Sequence, residues 1–326
     1  MLRPIPERLA IEVTAAAVRA VRLRGIGPAR RVRAYAERPL PPGLLVPSGT
    51  APNVLDEGGF ARLLAEVVGP APPRRARLVL PDRSVRLHVF PMDALPRGVP
   101  DLRGFLLWRL EDALPYPPRD ARLAFLGAPN GSPNRQLAIA VVAREQVLAQ
   151  YERLLRGLGL GVAHMAPASC HLFNLCAARG DTAGNAVEGL LALGPDAATV
   201  MLAHRGIPHY ARTFLRPEAH ATVPATESAS EASPPEAPSQ VQGTVKALAE
   251  EVLRSFAHAA ETEDLPAPTH LALAGELSPH PGLAHALQDI LGIPCGVVHP
   301  PVNRSRQGPP LPAEACALLA AASARL

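Results

Sequence analysis

The sequence predicts an α/β fold of two similar lobes, with a small α+β subdomain inserted in the first. Three observations predict it. Each half carries a β-hairpin with a short turn, a further strand, and then a helix and a strand. A block of different texture, reading strand–helix–strand–strand–helix over about 85–160, interrupts the first half. Hydrophobic residues make up 48% of the 326 residues against 19% charged, enough to bury a sizeable core in about two domains.

The first lobe, residues 1–180, begins with strands at Leu9–Val13 and Val18–Leu23, joined by a turn through Thr14–Ala17. Arg31–Glu37 reads as a third strand, after which Pro39, Pro41, Pro42 and Gly43 break the chain into a loop. Phe60, Leu63, Leu64 and Val67 have helical spacing over Phe60–Val68, and Arg77–Leu80 is a brief strand stopped by Pro81. In the inserted block, Val85, Leu87 and Val89 alternate with Arg86 and His88, as a half-buried strand over Val85–Phe90 should. Its helix, Leu102–Leu114, is halted by Pro115. Strands at Arg122–Leu126 and Gln136–Ala143 follow. The amphipathic Arg144–Leu158 ends at Gly157 and Gly159, residues suited to a C-terminal cap.

A helix at Ala166–Ala178 precedes the second lobe, residues 181–326. Leu190–Leu193 and Ala198–His204 form its hairpin around Gly194–Ala197, and His209–Leu215 adds a strand. Thr222–Gln242 mixes Ser, Glu, Ala and Pro in near-random order, a flexible insertion that cannot pack a core. Thr244–Glu261 is a long amphipathic helix. Thr269–Ala274 reads as a strand, Pro281–Leu291 as a helix and Cys295–Val298 as a strand, with a closing helix from about Pro312.

Composition excludes several classes. The formal net charge is +4, but Lys246 is the only lysine, the arginines are spread along the chain, and aromatics are only 4%. Nucleic-acid binding calls for clustered charge and stacking aromatics, so no nucleic-acid partner is expected. Cys170, Cys176, Cys295 and Cys316 are too scattered for a disulfide framework, which fits a reducing compartment. His164, Cys170, His171 and Cys176 lie close in sequence, but no second ligand pair completes a zinc site, so they read as buried helix residues. The opening MLRPIPERLA lacks an apolar run, and no stretch reaches the ~20 apolar residues of a membrane helix. A soluble protein is expected, one whose membrane association must come through a partner.

Several segments carry a family likeness. LVLPDRSVRLHVFPM (Leu78–Met92), LEDALPYPPRDARLAF (Leu110–Phe125) and AREQVLAQYERLLRGLGL (Ala143–Leu160) resemble the inserted region of the PilM family. LRSFAHAAE and LALAGELSPHPGLAHALQDILGIPC resemble that family's last-domain helix and base-contacting loop. The likeness spans essentially the whole chain. It implies an actin-like fold, a duplicated ribonuclease H-like architecture, with an inserted subdomain of the kind also seen in FtsA. It further implies a cytoplasmic place in the type IV pilus inner-membrane platform, and binding of the short cytoplasmic tail of PilN as an extended peptide. The assembly ATPase and other platform proteins are further candidate partners. The related GspL proteins of type II secretion have a membrane helix after a similar body, and none is visible here.

The resemblance also identifies where ATP and Mg²⁺ would sit. The first phosphate turn of actin-like proteins reads Asp-x-Gly followed by small hydroxyl residues, whereas here it is Glu12-Val13-Thr14-Ala15-Ala16-Ala17. Glu12 keeps a carboxylate suited to hydrated Mg²⁺, but Thr14 replaces the glycine and the hydroxyls are gone. In the second turn, Ala192-Leu193-Gly194-Pro195-Asp196, the acidic position has become Ala192 and Pro195 lacks an N–H. Gly275 keeps one of the paired glycines of the base loop, and Glu251 falls where the family offers a carboxylate to the ribose. Glu12, Thr14, Ala15, Gly194, Glu251 and Gly275 are therefore the candidates for a vestigial or weak ATP site, and no cofactor is firmly predicted. Leu114, Pro115 and Tyr116 are the candidates for a partner groove beside the subdomain.

No P-loop or nucleophile elbow is present, and no catalytic or metal-ligating residue is expected. The leading function is a non-catalytic scaffold. A nucleotide-switched scaffold is the alternative, and a small-molecule kinase of the same fold would need the acidic residues missing from both turns. An FtsA-like filament former would need an amphipathic membrane anchor, which the alanine-rich Ala313–Leu326 does not resemble.

Overall fold

A computed structural model of the chain describes residues 7–25, 31–92, 98–129, 136–178, 186–216, 238–280, 282–299 and 315–323. The first lobe is built on β1 (Glu7–Val13), β2 (Ala17–Arg24), β3 (Arg31–Pro39), α1 (Glu57–Val68) and β4 (Arg75–Leu80). The inserted region supplies β5 (Arg86–Met92), α2 (Val99–Arg109), β6 (Ala121–Pro129) and β7 (Gln136–Arg144). The chain returns through α3 (Glu145–Gly157), β8 (Gly161–Pro167) and α4 (Ala168–Ala178). The second lobe repeats the plan with β9 (Val187–Leu193), β10 (Ala197–His204), β11 (Ile207–Leu215), α5 (Pro238–Glu263), β12 (His270–Ala274), α6 (Leu283–Leu291), β13 (Cys295–Val297) and α7 (Cys316–Ser323).

The duplication is topological. The first sheet has the order β3-β2-β1-β4-β8 and the second β11-β10-β9-β12-β13. In each, three antiparallel strands are followed by two parallel ones. Both faces of each central strand are covered, which is why β9 reads as a near-continuous apolar run and β1 carries a short apolar stretch. Between the sheets lie α4 and α7, packed on one another, with α7 also against β1, β2 and β4. A chain segment late in the second half thus completes the core of the first.

Helix α1 starts where Asp56 accepts a hydrogen bond from the Gly59 amide at 2.9 Å, three residues before the apolar pattern begins. It packs on the outer face of the first sheet beside α3, whose Val147, Tyr151 and Leu155 are buried in the same core. Gln150 of α3 ties down the loop before α1: its Oε1 accepts from Asn53 N at 2.8 Å and Val54 N at 3.0 Å, and its amide donates to Val54 O. The region 86–144 has its own sheet, β5-β7-β6, and a separate core of α2 side chains against Leu123, Ala138, Ala140 and Val142.

Some elements depart from the sequence reading. Helix α2 opens at Val99, with Pro100 in the first turn where no N–H is needed. It stops at Arg109, and Glu111–Ala113 tightens into a 3₁₀ turn. Strand β8 was not expected, because Gly161, His164 and Pro167 obscure it, yet it pairs in parallel with β4. Helix α5 begins at Pro238, so residues 238–242, expected to be flexible, are helical. Residues 222–237 of that stretch, and 312–314 of the closing helix, lie outside the described residues. Among the described residues no helix is long and apolar enough to cross a membrane, and no His, Cys, Asp or Glu cluster could hold a metal ion.

Candidate functional site

The two hairpin turns face each other across the cleft between the lobes. Glu12, Thr14, Gly194 and Gly275 line one cavity there, with Asp82, Asp196 and Glu276. The cavity measures about 40 Å³, whereas small-molecule sites run to roughly 300–1,000 Å³. Ala15 is half-buried in the first turn but does not line the cavity. Glu251 is also elsewhere. It lies on α5, where Arg212 at 3.0 Å and Arg254 at 2.6 Å take its carboxylate, so the structure does not bring it to the other candidates.

Several backbone donors of the two turns are occupied within the turns themselves. Thr14 Oγ1 accepts from the amides of Ala16 at 3.3 Å and Ala17 at 3.0 Å, while Thr14 N donates to Ala17 O at 2.9 Å. The threonine that replaces glycine therefore staples its own turn. In the second turn Gly194 N donates to Ala197 O at 2.9 Å, and Arg216 Nη1 donates to the carbonyls of Gly194 and Pro195. Gly275, at φ +101°, approaches so closely that a Cβ there would sit 2.6 Å from Leu193 O.

Charged side chains fill the rest of the cleft. Arg19, on the cleft-facing side of β2 and only 3% exposed, reaches Glu37 Oε1 at 2.9 Å and Glu276 Oε1 at 2.9 Å, and lies 3.8 Å from Glu12. Glu12 stands opposite Arg19 in the hairpin register. Its Oε2 is buried with no hydrogen-bond partner among the described residues. Burial pushes the Glu12 carboxyl up to about 8, against the opposing pull of Arg19, and Glu276, Glu37 and Asp82 add to the rise. Burial thus favours the protonated form of Glu12, while Arg19 is paired with Glu37 and Glu276. Burial and these carboxylates act in opposite senses on the guanidinium, and the net effect strengthens its charged state.

Two further links cross the cleft. Asp82, just after β4, accepts from Thr199 Oγ1 of β10 at 3.0 Å and from the amide and hydroxyl of Ser169 at 3.0 Å each. Burial raises its carboxyl even against those three hydrogen bonds. Arg83 reaches Asp196 of the second turn at 3.2 Å. Arg19, Asp82, Arg83 and Glu276 were missed as site residues by sequence reasoning. The one legible signal was an arginine on the apolar face of β2, in line with Val21 and Leu23, which needs a buried partner.

The partner candidates separate. Leu114 and Tyr116 are buried, at 8% and 7% exposed, inside the core of the third sheet, and only Pro115 faces solvent. The Leu-Pro-Tyr step ends a helix and turns alternate side chains inward, so it forms no open groove. An open groove of about 310 Å³ lies on the other face of that sheet, between β6 and β8. Both are edge strands with main-chain groups left to pair. Leu123, Ala124, Val141, Leu148, Ala163 and Met165 line it, and on one rim Arg122 bridges to Glu145 and Glu152 of α3. A larger cavity, about 510 Å³, is the seam between β5 and β11, where subdomain and second lobe come together. Its lining mixes Arg83, Arg86 and Arg212 with Val85, Leu87, Phe214 and Leu215, so it is the more polar of the two.

No family model and no curated protein matches the sequence. Solved structures do. The chain is similar to a chain of a PilM–PilN type IV pilus biogenesis complex, with a TM-score of 0.70 at 21% identity over 91% of this chain and 89% of that one. It is also similar to the cytoplasmic domain of EpsL, an inner-membrane component of the Vibrio cholerae type II secretion system, with a TM-score of 0.51 at 12% identity over 98% and 97%. The ethanolamine utilization protein EutJ of Carboxydothermus hydrogenoformans gives 0.50 at 10% identity over 99% and 91%. With the duplicated sheets, the interlobe helix layer and the inserted third sheet, this chain has the actin-like fold in the arrangement shared with the PilM–PilN structure.

Proposed function

We propose that this chain is a non-catalytic scaffold of a type IV pilus or type II secretion-like inner-membrane platform. In this reading it holds the short cytoplasmic tail of a PilN-like membrane protein. The observation that carries the reading is the β6–β8 groove, in a chain that resembles one from a PilM–PilN complex. An extended tail entering it would pair its main chain with a free strand edge and set alternate side chains on the apolar floor. Membrane attachment runs through that partner.

The lobes are residues 1–180 and 181–326. The partner-serving insertion is the third sheet with α2, residues 86–144, while α3 belongs with the first lobe. The shut cleft supports the non-catalytic part of the proposal. Its cavity of about 40 Å³ is far smaller than a nucleotide needs, and the amides of Ala16, Ala17 and Gly194 are already hydrogen-bonded within the turns. The test is retention on immobilised tail peptides from a single-span membrane protein encoded beside this chain. Wild type is retained and Ala124→Arg, placed on the exposed floor of the groove, is not. Equal retention of the two proteins would remove the groove from the account.

A further inference from the structure

We infer that Arg19 serves as a built-in cation in the place of metal and nucleotide, bolting the two lobes closed with no ligand bound. The cleft carries carboxylates from both lobes, Glu12 and Glu37 on one side and Glu276 on the other, and buried carboxylates call for a shared cation. Here the common element is a side chain. Arg19 leaves the first lobe at the hairpin position opposite Glu12 and ends on Glu276, the residue after Gly275 in the second lobe. Glu37 takes its remaining face at 2.9 Å, and Tyr35 Oη donates to Glu37 at 2.7 Å, fixing that carboxylate.

The bolt is one of three cross-lobe links around the same cavity, with Arg83–Asp196 and Asp82–Thr199 as the others. These links join each turn, or the strand end beside it, to the opposite lobe. A closed state made this way has no open partner to be selected by ATP, since the ligand has no differential contacts to offer. The chain is therefore a permanently closed member of a fold whose lobes are otherwise arranged to clasp a ligand, and its response to nucleotide is lost together with turnover. This inference does not rest on the partner groove.

Amide hydrogen exchange of the full chain, read at Thr14–Ala17 and Gly194–Ala197, tests it. Wild type protects both turns equally with and without 5 mM Mg–ATP, an ordinary saturating level of roughly millimolar order. Arg19→Met and Glu276→Gln each speed exchange at both turns by roughly tenfold or more, because each removes the ion pair that joins the lobes. Exchange over α3 stays as in wild type, which reports that the variant is folded. Glu276→Gln keeps the side-chain shape and serves if Arg19→Met does not fold. Added protection of wild type by Mg–ATP overturns the inference, and so does a folded Glu276→Gln whose turns exchange at the wild-type rate.

Discussion

Arg19 and Glu276, separated by 257 positions in the sequence, meet at 2.9 Å in the cleft between the lobes. One follows the first hairpin turn and the other follows Gly275, so the pair spans the cleft between the two lobes. The arrangement makes the cleft a structural joint, with consequences for turnover, for pH and for the residues around it.

Turnover is the first. With Ala192 and Pro195 in the second turn and a cleft cavity of only about 40 Å³, purified protein should hydrolyse Mg–ATP no faster than a heat-treated control. Glu12→Ala should leave that baseline unchanged. Phosphate release that falls on Glu12→Ala would reinstate an active site.

Stability should depend on pH through Glu12. Its folded value, about 8, lies above the ordinary 4.5, so the folded state binds the proton more tightly than the unfolded chain. The corresponding stability is fully present below pH 4.5 and is lost as pH rises to 8, a drop of a few kcal/mol at about 1.4 kcal/mol per unit. His171 has the opposite sign: burial lowers it to about 4, so its contribution is lost as pH falls from 6.5 toward 4. Thermal melts should therefore give a wild-type Tm that declines from pH 6.5 to 8. In Glu12→Gln that decline should be largely absent, and at pH 8 the variant should be the more stable protein.

Gly275→Ala should destabilise the chain by about 2–3 kcal/mol, since it combines a left-handed φ with a contact too close for any Cβ. Denaturant midpoints measure this. A neutral substitution would mean that the base loop does not pack on the second turn as described.

The Leu-Pro-Tyr step gives a contrast within three residues. Tyr116→Ala removes a buried ring and should cost about 3 kcal/mol, with the loss confined to the third sheet and α2. Pro115→Ala, at an exposed position, should cost well under 1 kcal/mol. Equal costs in urea unfolding would contradict the placement of Tyr116 in the core.

The sequence carried the fold further than it carried the site. The hairpins were legible because β9 and β10 are apolar runs, and β1 and β2 carry short apolar stretches, flanking short turns, and α3 because its apolar face repeats at helical spacing. Strand β8 was hidden: a parallel edge strand needs only modest apolar content, and His164 and Pro167 mask even that. At the site, Glu12, Thr14, Gly194 and Gly275 could be found from the turns they occupy. Their internal bonding could not, because it depends on a threonine folding back on its own turn and on Arg19, Arg83 and Arg216 arriving from other strands and loops. Leu114 and Tyr116 misled for a related reason, since a helix stop and a groove wall share the same residues until burial separates them.

The proposed function requires this actin-like body to grip an extended peptide beside its inserted sheet. Calorimetric titration with the cytoplasmic tail peptide of a neighbouring PilN-like protein, without nucleotide, tests it most directly. Saturable one-to-one binding to wild type is expected, the same with Mg–ATP present, with a loss of at least roughly tenfold in affinity for Ala124→Arg. No binding to wild type in the absence of nucleotide, or undiminished binding to a folded Ala124→Arg, would contradict it.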